Sequence, residues 1–171
     1  KKTTRVMALT GAGEPLFPTS ATVIKQIDGG LLAMDADKRG VDRSTWKVVT
    51  RAQPTAEQLD ELAFAWLAVK HVKSNAIVLT QNGATVGVGA GQMNRVGSVQ
   101  IAAEQAGEKA KGAALGSDAF FPFPDGLEAA AAAGVAAVIQ PGGSKNDALV
   151  IEAADRLGVV MIFTGERHFL H

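Results

Sequence analysis

Three short segments of the sequence carry residue types and spacings that suit the binding of a small polar ligand. The first segment reads Gly-Val-Gly-Ala-Gly-Gln-Met-Asn-Arg over residues 87–95. Glycines let a backbone approach a ligand closely, and the Arg95 guanidinium can donate two parallel hydrogen bonds. The third glycine comes one residue too early for the dinucleotide-binding pattern G-x-G-x-x-G. Close packing of a strand and a ligand-binding loop are therefore both open interpretations of this segment.

The second segment, residues 117–126, is rich in phenylalanine and proline. Three of the chain's seven phenylalanines lie within four residues, at positions 120, 121 and 123. Aromatic faces can sandwich a flat heterocycle, and proline limits the entropy lost in holding them. A satellite hydrophobic cluster beneath a loop has the same composition. Both interpretations are open here as well.

The third segment closes the chain, from Thr164 to His171, and contains an arginine, two histidines and a phenylalanine. Chain ends are usually disordered, so this composition is unusual at a terminus. Arg167 can bind a phosphate, and histidines titrate near neutral pH. The alternative is a docked terminus without a function. In either case we expect the segment to dock on the protein.

Other polar residues have simpler explanations. Lys70 and His71 fall at the end of a predicted helix, where basic side chains complement the helix dipole. Asn75 leads into a predicted strand, and its amide can both donate to and accept from a base or carboxamide. Residues 141–144, Pro-Gly-Gly-Ser, lie between a predicted strand and a predicted helix. Their amides can bind an anion or take part in ordinary helix capping.

The composition excludes several classes of function. Seventeen basic and seventeen acidic residues give the 171-residue chain a formal charge of zero, which disfavours nucleic acid and anionic membranes as partners. The absence of cysteine excludes disulfides, thiolate nucleophiles and Cys-ligated zinc, and the three histidines lack H-x-x-x-H spacing, so no metal site is predicted. No apolar run reaches the roughly 18 residues of a membrane span. We expect a cytoplasmic protein that binds a small molecule.

The hydrophobic pattern predicts strands alternating with helices. Strands are predicted over residues 31–34, 46–49, 76–80, 85–88, 113–115, 135–139 and 159–163, and helices over 55–72, 98–110, 126–133 and 146–157. Thr55 and Gln58 form a capping box at the start of the first helix, and Asn82-Gly83 predicts an antiparallel hairpin. Residues 10–20 are predicted as a loop. Strands connected by helices pair in parallel, so the fold class is α/β with a mixed sheet.

Four motifs together resemble the C-terminal end of AICAR transformylase, part of a bifunctional purine-biosynthesis family. They are Lys73–Asn75, Gly89–Arg95, Ser117–Phe123 and Arg167–His171, in the family's order and spacing. The resemblance runs along the whole chain and is loosest before Gly29. It implies a three-layer, cytidine-deaminase-like unit without zinc, the second of two such tandem units. Residues 1–171 are then a single domain, and the N-terminal IMP cyclohydrolase domain and the first transformylase unit are absent.

The resemblance also implies roles for individual residues. Those assigned to the nucleotide AICAR are Asn75 and Arg95 for the base and carboxamide, Phe120 for stacking and Arg167 for the phosphate. Those assigned to folate are Asn94, Pro122, Phe123 and Asp125. The wall of the site is assigned to Phe169 and His171. His171 is the only catalytic candidate in this chain, because the family's catalytic Lys-His pair lies in the first unit, upstream of Lys1, and is not Lys70-His71.

The implied activity is formyl transfer from 10-formyltetrahydrofolate to the 5-amino group of AICAR, in de novo purine biosynthesis. The parent protein is also an IMP cyclohydrolase and a homodimer with sites across its interface. This chain alone is then expected to be inactive without the missing N-terminal portion. An alternative is a non-catalytic nucleotide-binding or dimerisation module of the same fold. A zinc deaminase is disfavoured because cysteine ligands are absent.

Overall fold

The computed structural model describes residues 22–170, which belong to two compact units, Lys1–Arg39 and Gly40–His171. The predicted loop over 10–20 and His171 lie outside the described residues. In the first unit, strands β1 (Thr22–Ile27) and β2 (Gly30–Asp35) form an antiparallel hairpin. Strand β2 contains the strand predicted at 31–34, whereas β1 was not predicted.

The second unit contains a six-stranded mixed sheet and four α-helices. Its elements are β3 (Lys47–Val48), α1 (Ala56–Val69), β4 (Ile77–Gln81), β5 (Ala84–Gly89), α2 (Arg95–Ala106), β6 (Ala114–Ser117), α3 (Asp125–Ala132), β7 (Ala137–Gln140), α4 (Asp147–Leu157) and β8 (Val160–Phe163). The strand order is β3-β8-β7-β6-β4-β5. Strands β6, β7 and β8 are parallel, and the remaining pairs are antiparallel. The predictions of an α/β fold, a mixed sheet and an antiparallel hairpin around residues 82–83 are confirmed.

Helix α1 begins at the predicted capping box. The Thr55 hydroxyl accepts a hydrogen bond from the Gln58 amide, and the Gln58 side chain accepts one from the Thr55 amide. The helix ends at Val69, and the amide of His71 then bonds the carbonyl of Ala68, which tightens the last turn. No helix within residues 22–170 has both the length and the apolar composition needed to cross a membrane.

The sheet is covered on both faces, because successive side chains of a strand point to opposite sides. On β4, Ile77 and Leu79 belong to one buried cluster, and Val78 between them belongs to another. The cluster around Val78 contains Leu62, Trp66 and Val69 of α1. The cluster around Ile77 and Leu79 contains buried hydrophobic residues of α2, α3 and α4. Helix α1 therefore packs on one face and the other three helices on the opposite face.

Two glycines of β5 let helix α2 approach the sheet very closely. A Cβ atom added to Gly87 would lie 2.0 Å from the Ala102 carbonyl oxygen, and one added to Gly89 would lie 1.9 Å from the Ser98 carbonyl oxygen. No side chain fits in these gaps. For these two glycines the close-packing interpretation is therefore correct, and their consequence is to fix the position of α2 against the sheet.

Replacing Gly89 with alanine is expected to destabilise the protein. The added methyl group overlaps the helix backbone, so helix and strand must separate, at a cost of about 1–3 kcal/mol in unfolding free energy. Urea denaturation measures this difference. The matched control is Gly40→Ala, where an added Cβ meets no atom within 4 Å. Equal stabilities for the Gly89→Ala variant and the wild type would contradict close packing as the reason for this glycine.

A carboxylate on α4 holds the segment that precedes α1. Asp155 accepts hydrogen bonds from the Arg51 backbone amide at 2.7 Å and from its guanidinium at 3.0 Å. The backbone hydrogen bond, more than the guanidinium, lowers the pKa of Asp155 from its ordinary value. A carboxyl whose pKa is lowered by folding stabilises the folded state above its unfolded pKa.

The contribution of Asp155 to stability is expected to disappear in acid. Asp155→Asn should lower the melting temperature at neutral pH. The difference from wild type should then shrink as the pH falls from about 4 through the lowered pKa, where the native carboxylate becomes protonated. Thermal melts between neutral and acidic pH test this. Glu152→Gln, an exposed change on the same helix, is the control and should leave the melting temperature at neutral pH close to that of the wild type. A difference that is constant with pH would count against the ionised hydrogen bond.

Candidate functional site

A cavity of about 370 Å³ opens at one end of the strands of the main sheet. Strands β6 and β8 end there, and β4 begins there because it runs antiparallel to β6. The lining residues come from the segments next to these strand ends and from the start of α2. They are Asn75, Met93, Asn94, Arg95, Ala119, Phe120, Pro122, Arg167 and Phe169. The three segments singled out in the sequence therefore meet in one place.

The cavity includes most, but not all, of the predicted site residues. All four residues assigned to the nucleotide line it: Asn75, Arg95, Phe120 and Arg167. Of the other predicted residues, Asn94, Pro122 and Phe169 line it, whereas Phe123 and Asp125 do not, and His171 lies outside the described residues. Sequence reasoning assigned no role to Met93 or Ala119. Met93 is 97% exposed, and the only signal in the sequence was an apolar residue within a glycine-rich segment.

Arg95 forms part of a buried polar network. Its guanidinium donates to the carboxylate of Asp118 and, over 2.9 Å, to the hydroxyl of Ser117. A second nitrogen of the guanidinium donates to the side-chain oxygen of Asn75 over 3.1 Å. Arg95 is 7% exposed and Asp118 is fully buried. The positive charge of Arg95 is therefore neutralised by the protein, and its guanidinium is held rigidly at the cavity wall.

Both the oxygen and the nitrogen of the Asn75 side-chain amide are held by hydrogen bonds. Its oxygen accepts from Arg95, and its nitrogen donates to the Gln92 carbonyl over 2.9 Å. An amide has two donor hydrogens and two acceptor lone pairs, so one of each is left after these contacts. Asn75 can thus present a donor and an acceptor to a ligand in a fixed orientation.

Asn94 begins helix α2 and gives the helix its first side-chain cap. Its side-chain oxygen accepts from the Gly97 amide over 2.8 Å. Helix α2 consequently starts at Arg95, three residues before the predicted start at Ser98. The cap uses the side-chain oxygen of Asn94, so the side-chain nitrogen is the group that remains for the folate contact predicted for this residue.

The three phenylalanines of the second segment have different environments. Phe120 lines the cavity, Phe121 is fully buried in the core, and Phe123 is 58% exposed. The hydrophobic-cluster interpretation is thus correct for Phe121. A ligand-stacking interpretation is compatible with the position of Phe120.

The segment from Thr164 to Leu170 is docked through two buried side chains, Thr164 and His168. His168 is buried, and its ring lies 4.4 Å from the ring of Trp66. The residues on either side, Arg167 and Phe169, are exposed and line the cavity, with the guanidinium carbon 5.5 Å from the Phe169 ring centroid. His168 therefore anchors the segment, and its neighbours are the residues available to a ligand.

A second cavity of about 230 Å³ shares Phe120 and Arg167 with the first and is otherwise lined by Pro141, Gly142, Gly143 and Gly165. The carboxylate of Asp147 accepts hydrogen bonds from the amides of Gly143, at 2.7 Å, and Ser144, at 3.1 Å. These amides are already paired with an acidic group. Asp147 is the first residue of α4, and no side chain caps that helix, so ordinary helix capping does not explain these amides. Their pairing with Asp147 leaves neither of the two amides open to an external anion.

The described lining contains no group that takes up a proton near neutral pH. Asparagine, phenylalanine, methionine, proline and alanine do not titrate there, and arginine stays protonated. Lys70 and His71 follow the end of α1 and are not among the lining residues. Within residues 22–170 no group of three His, Asp or Glu side chains is arranged to hold a metal ion. The described site can bind and orient a ligand but offers no general base.

Comparisons with known proteins identify relatives of this chain. The chain is 58% identical over all 171 residues to the bifunctional purine biosynthesis protein PurH of Desulfitobacterium hafniense (strain DSM 10664 / DCB-2), and covers 33% of that protein. It is 65% identical over 158 residues to PurH of Trichodesmium erythraeum, covering 92% of this chain and 31% of that protein. The chain thus spans about a third of the length of these relatives.

One solved structure, Acinetobacter baumannii RibD, form 1, has a TM-score of 0.41 and 20% identity to this chain, and the match covers 63% of this chain and 33% of that one. Residues 1–105 match the family described as the AICARFT/IMPCHase bienzyme. That match extends over more than half of the sequence and includes the cavity residues up to Arg95. On this evidence the chain belongs to the AICARFT/IMPCHase bienzyme family.

Proposed function

We propose that this chain supplies the nucleotide-binding part of an AICAR formyltransferase site in purine biosynthesis. The observation that carries the proposal is the position of Arg167 at the aromatic cavity. Within the described residues its guanidinium contacts the Phe169 ring and pairs with no carboxylate. Arg95, the other charged residue of the lining, is neutralised by Asp118. Arg167 therefore gives the cavity a local positive charge that suits the phosphate of a nucleotide.

Other residues of the lining suit an imidazole carboxamide. Phe120 offers an aromatic face for the flat ring. Asn75 and Arg95 also line the cavity and are held by the network around Asp118. The remaining donor and acceptor of Asn75 match the donor and acceptor of a carboxamide group.

Folate recognition is assigned to the outer part of the same region. Asn94 and Pro122 line the cavity, and Phe123 and Asp125 follow directly on the exposed side of the segment. An exposed phenylalanine next to an aromatic cavity suits the flat pteridine ring of 10-formyltetrahydrofolate. Asp125 and the Asn94 amide can then hydrogen-bond the polar edge of that ring.

The reaction itself requires groups that the described cavity lacks. The AICAR amine attacks the formyl carbon, the bond from that carbon to N10 of the folate breaks, and the proton lost by the amine ends on N10. A general base and an oxyanion stabiliser assist such a transfer. We assign these tasks to the Lys-His pair of an upstream transformylase unit, which is expected to complete the site in a homodimer. In this assignment residues 1–171 form the C-terminal, three-layer, cytidine-deaminase-like unit, without zinc.

A second candidate function is a non-catalytic nucleotide-binding or dimerisation module. The absence of a proton acceptor from the described lining favours it for the isolated chain. The two functions differ in what the chain does when the rest of the protein is supplied.

Arg167→Ala is expected to weaken the binding of AICAR by roughly ten- to a hundredfold, because a charge-assisted phosphate contact is lost. Binding of the corresponding nucleoside, which has no phosphate, should change far less. Isothermal titration calorimetry with both ligands measures the difference. Arg156→Ala is the control, because Arg156 pairs with Glu128 on the surface, away from the cavity. Equal losses for nucleotide and nucleoside would contradict the phosphate assignment.

The isolated 171-residue chain is expected to show no formyl transfer, and addition of the upstream transformylase unit should restore it. Turnover of AICAR with 10-formyltetrahydrofolate, followed by absorbance, tests this, with intact mass taken on the same sample. Turnover by this chain alone would mean that the general base lies within residues 1–171. AICAR binding without any turnover in the presence of the upstream unit would favour the non-catalytic module.

A further inference from the structure

We propose that Asp118 and Ser74 are positioning residues, which together hold both walls of the nucleotide site in register. The inference rests on the proposed function and goes beyond it, because neither residue lines the cavity. One wall is formed by Arg95 and Asn75. The other is formed by the segment from Thr164 to Leu170.

The Asp118 carboxylate links the two walls through its two oxygens. One oxygen accepts from the Arg95 guanidinium, and the other accepts from the Ser74 hydroxyl over 2.6 Å. Asp118 has no exposed surface, so its charge is stable only while these donors stay in place. Movement of either donor leaves a buried carboxylate without a partner, which is energetically costly.

Ser74 connects this carboxylate to the closing segment. Its hydroxyl accepts from the Leu170 amide over 3.2 Å, while its own amide donates to the Leu170 carbonyl over 2.9 Å. The Asp118 carbonyl accepts from the His168 amide over 3.0 Å. The backbone on both sides of Phe169 is thus bonded to Ser74 or Asp118.

These bonds determine where the ligand-facing side chains of the segment lie. Arg167 and Phe169 alternate with the two bonded residues, His168 and Leu170. Because the amides of His168 and Leu170 are fixed, the side chain of Phe169, which lies between them, and that of Arg167, which precedes them, are oriented towards the cavity. The same carboxylate fixes Arg95, so the spacing between the phosphate-binding and base-binding walls depends on one buried group.

Replacing Ser74 with alanine in the whole protein tests the inference without removing the carboxylate. Hydrogen–deuterium exchange followed by mass spectrometry should show about tenfold or faster exchange of the amides in peptides spanning residues 164–170. The AICAR dissociation constant should rise about tenfold. Ser74→Thr, which keeps the hydroxyl, should restore both values.

The matched control is Ser44→Ala. The Ser44 hydroxyl also donates to a carboxylate over 2.6 Å, that of Asp42, but on the surface and away from the cavity. The Ser44→Ala variant should leave both the amide exchange in residues 164–170 and the AICAR affinity unchanged. On an Arg167→Ala background, Ser74→Ala should weaken binding by less than it does in the wild type, because one of the ligand-facing residues that it positions is already gone.

The possible outcomes separate the inference from the function on which it rests. Unchanged exchange in the Ser74→Ala variant would overturn the inference. Faster exchange with unchanged AICAR affinity, or additive losses with Arg167→Ala, would overturn the link between the closing segment and ligand binding. A wild-type protein that binds no AICAR would overturn the proposed function. The exchange comparison, which needs no ligand, would still decide whether Ser74 holds the segment.

Discussion

The burial of the Asp118 carboxylate is the constraint on which the candidate site depends. A charged group without exposed surface needs a partner of opposite charge and hydrogen bonds to its remaining lone pairs. Asp118 obtains them from Arg95 and Ser74, and its carbonyl pairs with the amide of His168. Residues from four parts of the chain must therefore meet at one point. The cavity walls are the immediate neighbours of these residues, such as Asn75 and Arg167.

This convergence also depends on how closely α2 packs on the sheet. Arg95 is the first residue of α2, so the depth of the helix decides whether the guanidinium reaches Asp118. Gly89 lets the backbone of α2 approach strand β5 more closely than any side chain would permit. Asn94 caps α2, so the helix begins at Arg95. A glycine that does not line the cavity can thus control the position of a lining residue, because it sets the position of the helix that carries that residue.

The strands and helices of the main unit were largely predictable, because buried strands and amphipathic helices leave a clear period in the sequence. The start of α2 was not, since residues 94–98 are mostly polar and the helix begins through a cap rather than an apolar repeat. The pair of Arg95 and Asp118 joins the first residue of α2 to the residue that follows β6, 23 positions later. No local pattern encodes such a pair. Likewise, Phe120, Phe121 and Phe123 are alike in sequence, and only the path of the backbone decides which one lines the cavity.

In the proposed function, the chemistry of the described lining separates binding from catalysis. A wall built from a neutralised arginine, an amide and aromatic rings keeps one geometry and one charge across physiological pH. Such a wall is well suited to orientation, which alone can account for a large part of the rate of a two-substrate reaction. It is unsuited to proton transfer, because none of its groups changes protonation state near neutrality. A site of this kind gains catalytic power only when a titratable group from another part of the protein meets the ligand that it holds.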